Sequence, residues 1–86
     1  MGYDLSILKA IADDTRLAIL LSLQKSRKSV SELVLIVKKS QPNISIALRK
    51  LLQAGLVSPQ KEAQHVFYSI KNEQLIDAIL ELIKHG

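Results

Sequence analysis

Ser40, Gln41, Asn43, Ser45, Arg49, Lys50 and Gln53 crowd hydroxyl, amide and cationic groups into one short stretch of an 86-residue chain. Such groups suit nucleic acid. Asn or Gln pairs bidentately with adenine and Arg with guanine, while Lys, Arg and hydroxyls hold phosphates. At about 100° per residue, a helix through this stretch gathers Ile44, Ala47, Leu48, Leu51 and Leu52 into one arc. The opposite arc collects Pro42, Asn43, Ser45, Ile46, Arg49, Lys50 and Gln53. Ile46 is the apolar member of that polar face and suits a thymine methyl. The alternative for the same residues is an ordinary solvated helix face.

Other chemistry is sparse. The chain has no Cys and two His. Disulfides, thiolate zinc sites and thiol catalysis are excluded. No Ser-His-Asp arrangement surrounds His65 or His85, and no Gly-rich phosphate loop is present, so no catalytic residues and no enzyme are expected. Asp77, Glu81 and His85 stand four apart and fall roughly on one helix face. They could ligate a metal across a dimer. A solvated or salt-bridging face is the other reading and the one adopted, so no metal or other cofactor is expected.

Charge is uneven. Between Thr15 and Lys61 there are nine Lys or Arg and one acid, Glu32, which makes that middle +8. The two ends together are −4. A basic centre between acidic ends is a plausible footprint for a polyanion, with scattered solvated lysines as the alternative. The apolar fraction of 48% is ample for a core, and aromatics at 3% leave that core to Leu, Ile and Val. No basic segment followed by an apolar run opens the chain, and no apolar run approaches the roughly 18 residues of a membrane span. A single domain, 1–86, in a soluble cytoplasmic protein is the expectation.

Several elements must position these groups. Leu5, Leu8, Ile11 and Ala12 recur at helical spacing and predict a first helix over about Asp4 to Ala12. Asp13 or Asp14 caps a second, apolar over most of its girth (Leu17, Ile19, Leu20, Leu21, Leu23) and hence central. Gln24 to Lys28 reads as a loop. Ser29-Val30-Ser31-Glu32 resembles a cap with an acidic first turn, opening a third helix with Leu33, Val34, Ile36 and Val37 on one side. Ser40 caps a fourth, with Pro42 in its first turn and Gly55 as its left-handed stop. The period then changes. Val57 to Lys61 and His65 to Ile70 flank the turn Glu62-Ala63-Gln64 and predict a β-hairpin. Asn72 caps a last helix to about His85. The fold expected is mainly α with a small β-hairpin, in the order ααααββα.

That order is the winged helix-turn-helix order. The residues carry a closer likeness too. Ile11-Ala12-Asp13-Asp14-Thr15-Arg16-Leu17-Ala18-Ile19-Leu20, Val30-Ser31-Glu32-Leu33, Ser40-Gln41-Pro42-Asn43-Ile44-Ser45, Leu48-Arg49-Lys50-Leu51, Ala54-Gly55-Leu56-Val57 and His65-Val66-Phe67-Tyr68 resemble the ArsR family of repressors over about residues 5 to 80. The resemblance implies a homodimeric, sequence-specific regulator of transcription on double-stranded DNA. The fourth helix of each subunit would lie in the major groove, with the hairpin wing beside the backbone or minor groove. Ser40, Gln41, Asn43, Ser45, Ile46 and Arg49 become the expected recognition contacts, with Lys61, Gln64 and His65 on the wing. Lys39 departs from the pattern, standing where an apolar residue is usual, and its stem is expected to lie along the protein while its amine approaches phosphate.

This sequence departs from the family pattern in places. Lys38 stands where Gly is frequent, and a left-handed Lys there costs on the order of 1 kcal/mol. Ala47 replaces a frequent polar residue. Ala63-Gln64 replaces a common Gly-Arg at the wing tip. The third helix carries Glu32-Leu33-Val34-Leu35-Ile36-Val37 where many members place metal-sensing cysteines, so that sensing mode is absent. No effector is implied.

The last helix suggests how a dimer forms. Leu75, Ile76, Ile79, Leu80, Leu82 and Ile83 fill an arc of about 160°, wider than the stripe one core contact needs. Ile76, Ile79, Leu80 and Ile83, with Leu5 and Leu8 (or Ile7) of the first helix, are the expected interface. A two-fold dimer would set its reading helices about 34–36 Å apart and recognise a palindromic operator. A winged helix that binds protein rather than DNA is the competing class, with Leu35 and Ile46 as partner contacts.

Overall fold

The structure is a computed structural model that describes residues 2–84. Its elements are α1 (Ser6–Ile11), α2 (Asp14–Lys25), β1 (Lys28–Ser29), α3 (Val30–Val37), α4 (Gln41–Gln53), β2 (Val57–Glu62), β3 (His65–Ile70) and α5 (Glu73–Lys84). The predicted helices and hairpin are all there, in the predicted order. The hairpin, however, is part of a three-stranded antiparallel sheet of order β1-β3-β2.

Local chemistry sets the helix starts. Asp13 caps α2 by accepting from the Arg16 N–H. Ser29 and Glu32 form a reciprocal capping box at α3. Ser40 accepts from the Asn43 N–H at α4, and Asn72 accepts from the Leu75 N–H at α5. The stops are equally local. Lys38 closes α3 in the left-handed region, φ 61 and ψ 45. Gly55 follows α4 at φ 74. Its N–H meets the Leu52 carbonyl while that of Leu56 meets Leu51, the paired bonds of a Schellman stop.

Three expectations need correction. Gln24 to Lys28 is not wholly loop: Gln24 and Lys25 complete α2, and Lys28 enters β1, facing Tyr68 while Ser29 faces Phe67. The wing turn is shorter than expected, because Glu62 pairs with His65 and leaves a two-residue loop. The first helix is confined to Ser6–Ile11, and its flanks lack helical backbone: Leu5 sits at ψ 6 and Ala12 at ψ 58.

One apolar cluster holds the fold together. Ile19, Leu20, Leu33, Ile44, Leu48, Leu51, Leu56, Ile76 and Leu80 are among its fully buried members. Helix α2 lies at the centre and touches α1, α3, α4, α5 and β3, which explains its unusually apolar girth. Lys28 reaches back so that its ammonium donates to the carbonyls of Ser22 and Ser26 at the C-terminus of α2. That contact satisfies orphan carbonyls and favours the negative end of the helix dipole.

Candidate nucleic-acid interface

Helix α4 divides as its periodicity predicts. Ile44, Ala47, Leu48 and Leu51 are buried against the core. Gln41, Asn43, Ile46, Arg49, Lys50 and Gln53 are exposed, and Ser45 is half-buried at the edge. Ile46 keeps half its surface open among polar neighbours. Ser40 is exposed too, with its hydroxyl oxygen engaged as the helix cap. Lys38 and Lys39, both exposed, immediately precede the positive end of the α4 dipole. Cations and free N–H groups at a helix N-terminus attract phosphate.

The wing carries Lys61, Gln64 and His65 in exposed positions. The strand register separates them. Lys61 faces Val66 and Glu62 faces His65. Residues directly opposite share a face, and successive residues alternate. Lys61 therefore lies on the face that, nearer the base, buries Val57 and Ile70. His65 lies on the other face with Ser58, Gln60, Glu62, Phe67 and Ser69. The Ser58–Ser69 hydroxyl contact and the tilted packing of His65 on Phe67 belong to this second face. Gln64 stands in the loop between them.

Arg27, just ahead of β1, also reaches that second face. Its guanidinium sits 4.3 Å from the centre of the Phe67 ring and forks onto Glu62, one N–H to each carboxylate oxygen. Arg27 holds the Glu62 carboxyl below its ordinary range, and Glu62 in turn raises the guanidinium. Sequence reading missed this group. Arg27 and Glu62 lie 35 residues apart, and no local periodicity links them.

An apolar cleft of about 530 Å³ opens between α1, the start of α2 and α5, lined by Leu8, Ile11, Leu17, Ile79, Leu82 and Ile83 among others. Leu5, Leu8 and Ile83 are about half exposed, Leu82 is 76% exposed, and Ile79 is half-buried. Ile76 and Leu80, expected at the dimer interface, are instead fully buried within the protomer. Their side of α5 packs against the domain's own core and has no surface left for a second subunit.

Asp77 accepts a hydrogen bond from the Gln24 amide across to α2. Among the described residues no three His, Cys, Asp or Glu are grouped to hold a metal, and His85 lies outside the described residues. Leu35, on α3, is 76% exposed. Among the described residues no helix is long and apolar enough to cross a membrane.

Comparison with known proteins places this geometry. The profile described as "Bacterial regulatory protein, arsR family" matches residues 13–58, which run from the cap of α2 through α4 into β2. The transcriptional activator HlyU of Vibrio cholerae is 40% identical over 77 residues, covering 90% of this chain and 70% of that protein. The HTH-type transcriptional repressor SmtB of Mycobacterium tuberculosis is 33% identical over 80 residues, covering 93% of this chain. The chain spans only 59% of the length of SmtB. The crystal structure of NolR from Sinorhizobium fredii superposes with a TM-score of 0.85 at 35% identity, covering 93% of this chain and 79% of that one. With its helix-turn-helix inside the matched region and nine-tenths of its length aligned to such relatives, the chain belongs to the ArsR family of bacterial regulatory proteins.

Proposed function

We propose that this chain binds double-stranded DNA as a homodimer at a palindromic operator and regulates transcription there, with no catalytic role. The observation that carries the reading is the open hydrophilic arc of α4, Asn43 to Gln53, with Lys38 and Lys39 at its positive end. Basic residues supply salt-dependent attraction to phosphates, and the side chains of α4 supply base discrimination. The apolar cleft between α1 and α5 supports dimerisation, with Leu5, Leu8, Ile79, Leu82 and Ile83 facing a second copy. Bound across a promoter, such a dimer excludes polymerase, and repression is the sign proposed. The work is that of a cytoplasmic protein with access to the chromosome.

Selection of bound duplexes from a random pool tests the reading. A two-fold symmetric site is expected, with half-sites about one helical turn apart. Asn43→Ala and Arg49→Ala should each weaken binding to that site by about 1–3 kcal/mol while the dimer stays folded. Equal binding by both variants would remove α4 from the mechanism.

The exposed Leu35 favours a second reading, a winged helix that docks on protein. Binding to random duplex at low salt separates the two. A DNA reader binds weakly and loses affinity steeply as salt rises, and a protein-docking module does not bind.

A further inference from the structure

Glu62 is the one acid between Val57 and Ile70, and it stands at the tip of the wing, next to the loop. Any use of the wing against DNA brings this carboxylate toward phosphates, where it is repulsive. Lys61 beside it points to the opposite face of the hairpin and cannot cover it. The cation that does cover it is Arg27, delivered from the body of the domain, with both carboxylate oxygens engaged. Phe67, half-buried in the central strand, underlies the guanidinium and holds its plane between body and wing.

The same contact bears on the wing's pose. Strand β1 pairs only with Phe67 and Tyr68. Past that point β2 and β3 form a two-stranded ribbon, which twists and bends easily. Arg27 reaches beyond the end of the three-stranded region to the last residue of β2, and so ties the distal ribbon to the segment that joins α2 to α3. An exposed ion pair adds little to fold stability. The significance of this one lies in where it places charge and how it aims the wing.

We infer that Arg27 is a positioning residue for DNA binding: clasped to Glu62 across Phe67, it cancels the wing-tip carboxylate and fixes the angle at which the wing meets the duplex. This inference rests on the DNA-binding reading above. It differs from a direct phosphate contact by Arg27, because the partner here is Glu62, and removing both members restores what removing one destroys.

The experiment uses the full chain as wild type, Arg27→Ala, Glu62→Gln, the double variant and Arg27→Lys, titrated on the selected operator at several salt concentrations. Arg27→Ala should weaken binding about tenfold by leaving a bare carboxylate at the rim of the interface. Glu62→Gln should bind within about threefold of wild type, the loosened wing offset by the lost repulsion, with the slope of log affinity against log salt steeper by about one as the freed cation reaches phosphate. The double variant should return to within about threefold of wild type, because the repulsive charge is gone. Arg27→Lys, which keeps charge but loses the fork, should fall between Arg27→Ala and wild type. Amide exchange without DNA reads the pose separately: Lys61 to Val66 should exchange several-fold faster in Arg27→Ala, with α4 unchanged. A double variant as weak as Arg27→Ala, or an Arg27→Ala that binds like wild type, overturns the inference and leaves the DNA-binding reading standing. Failure of wild type to bind any duplex at low salt overturns both.

Discussion

The Nε of Arg16 donates to the carbonyl oxygen of Ala10 at 2.6 Å, and a second guanidinium nitrogen reaches the carbonyl of Lys9. Both acceptors lie near the C-terminal end of α1, whose last carbonyls have no partner within the helix. A six-residue helix does not hold together by itself. Arg16, on the first turn of α2, thus fastens to the domain the helix that lines the apolar cleft. Arg16→Ala should cost about 2 kcal/mol, the range of hydrogen bonds from a charged donor. For a domain of this size that lowers the thermal midpoint by roughly 10 °C, read by circular dichroism. Arg16→Lys should recover only part of the loss, since one ammonium cannot reproduce the fork.

Among the described residues two that are not glycine sit at positive φ, Lys38 at 61° and Ala63 at 55°. Lys38→Gly relieves the left-handed strain but adds freedom to the unfolded chain, so a net gain of about 0.5–1 kcal/mol is expected. Positive φ in the wing loop is confined to its first residue, as in a type II′ turn, which prefers Gly there. Ala63→Gly should stabilise by a similar amount. Gly55→Ala should do the reverse by about 1 kcal/mol. Nothing lies within 4 Å of a Cβ built at Gly55, so backbone strain alone is responsible. Urea midpoints of the three variants check these signs.

The two sides of α5 should respond differently to substitution. Leu80 is fully buried, and Leu80→Ala should cost about 3 kcal/mol through the cavity it leaves. Ile83 and Leu8 are about half exposed beside the apolar cleft. Leu8→Glu or Ile83→Glu should leave the protomer folded yet shift the sedimentation equilibrium from dimer to monomer. Unchanged dimerisation in both would place the interface elsewhere.

Acid should loosen the fold by a predictable route. The Asp13 carboxyl is held below its ordinary value chiefly by the Arg16 N–H, and that of Glu32 by the Ser29 N–H. Hydrogen bonds from Ser6 lower Asp4, and those from Arg27 lower Glu62. A carboxyl whose folded pKa is depressed contributes stability that is full above its unfolded value, about 4. That contribution is lost as pH falls through the lower folded value. Stability should therefore be flat near neutrality and drop below about pH 4, and Asp13→Asn or Glu32→Gln should flatten the acid limb. Urea unfolding from pH 2 to pH 7 measures it.

Much of this molecule is determined by neighbours in sequence. A cap, its partner three residues on and a helical stripe of apolar residues are all local, so the starts of α2, α3, α4 and α5 can be read directly, as can the Gly55 stop. Alternation reveals the hairpin, and the two arcs of α4 follow from its 3.6-residue period. The tertiary structure decided what depends on distant partners. Two residues do not announce a strand, and β1 exists because the open edge of β3 offers Lys28 and Ser29 its hydrogen bonds. The broad apolar arc of α5 showed that two surfaces were needed. Only packing assigned Ile76 and Leu80 to the core and left Leu82 and Ile83 outside. Arg27 meets Glu62 because a sheet folds the chain back on itself, and a pair made by chain reversal leaves no period in the sequence.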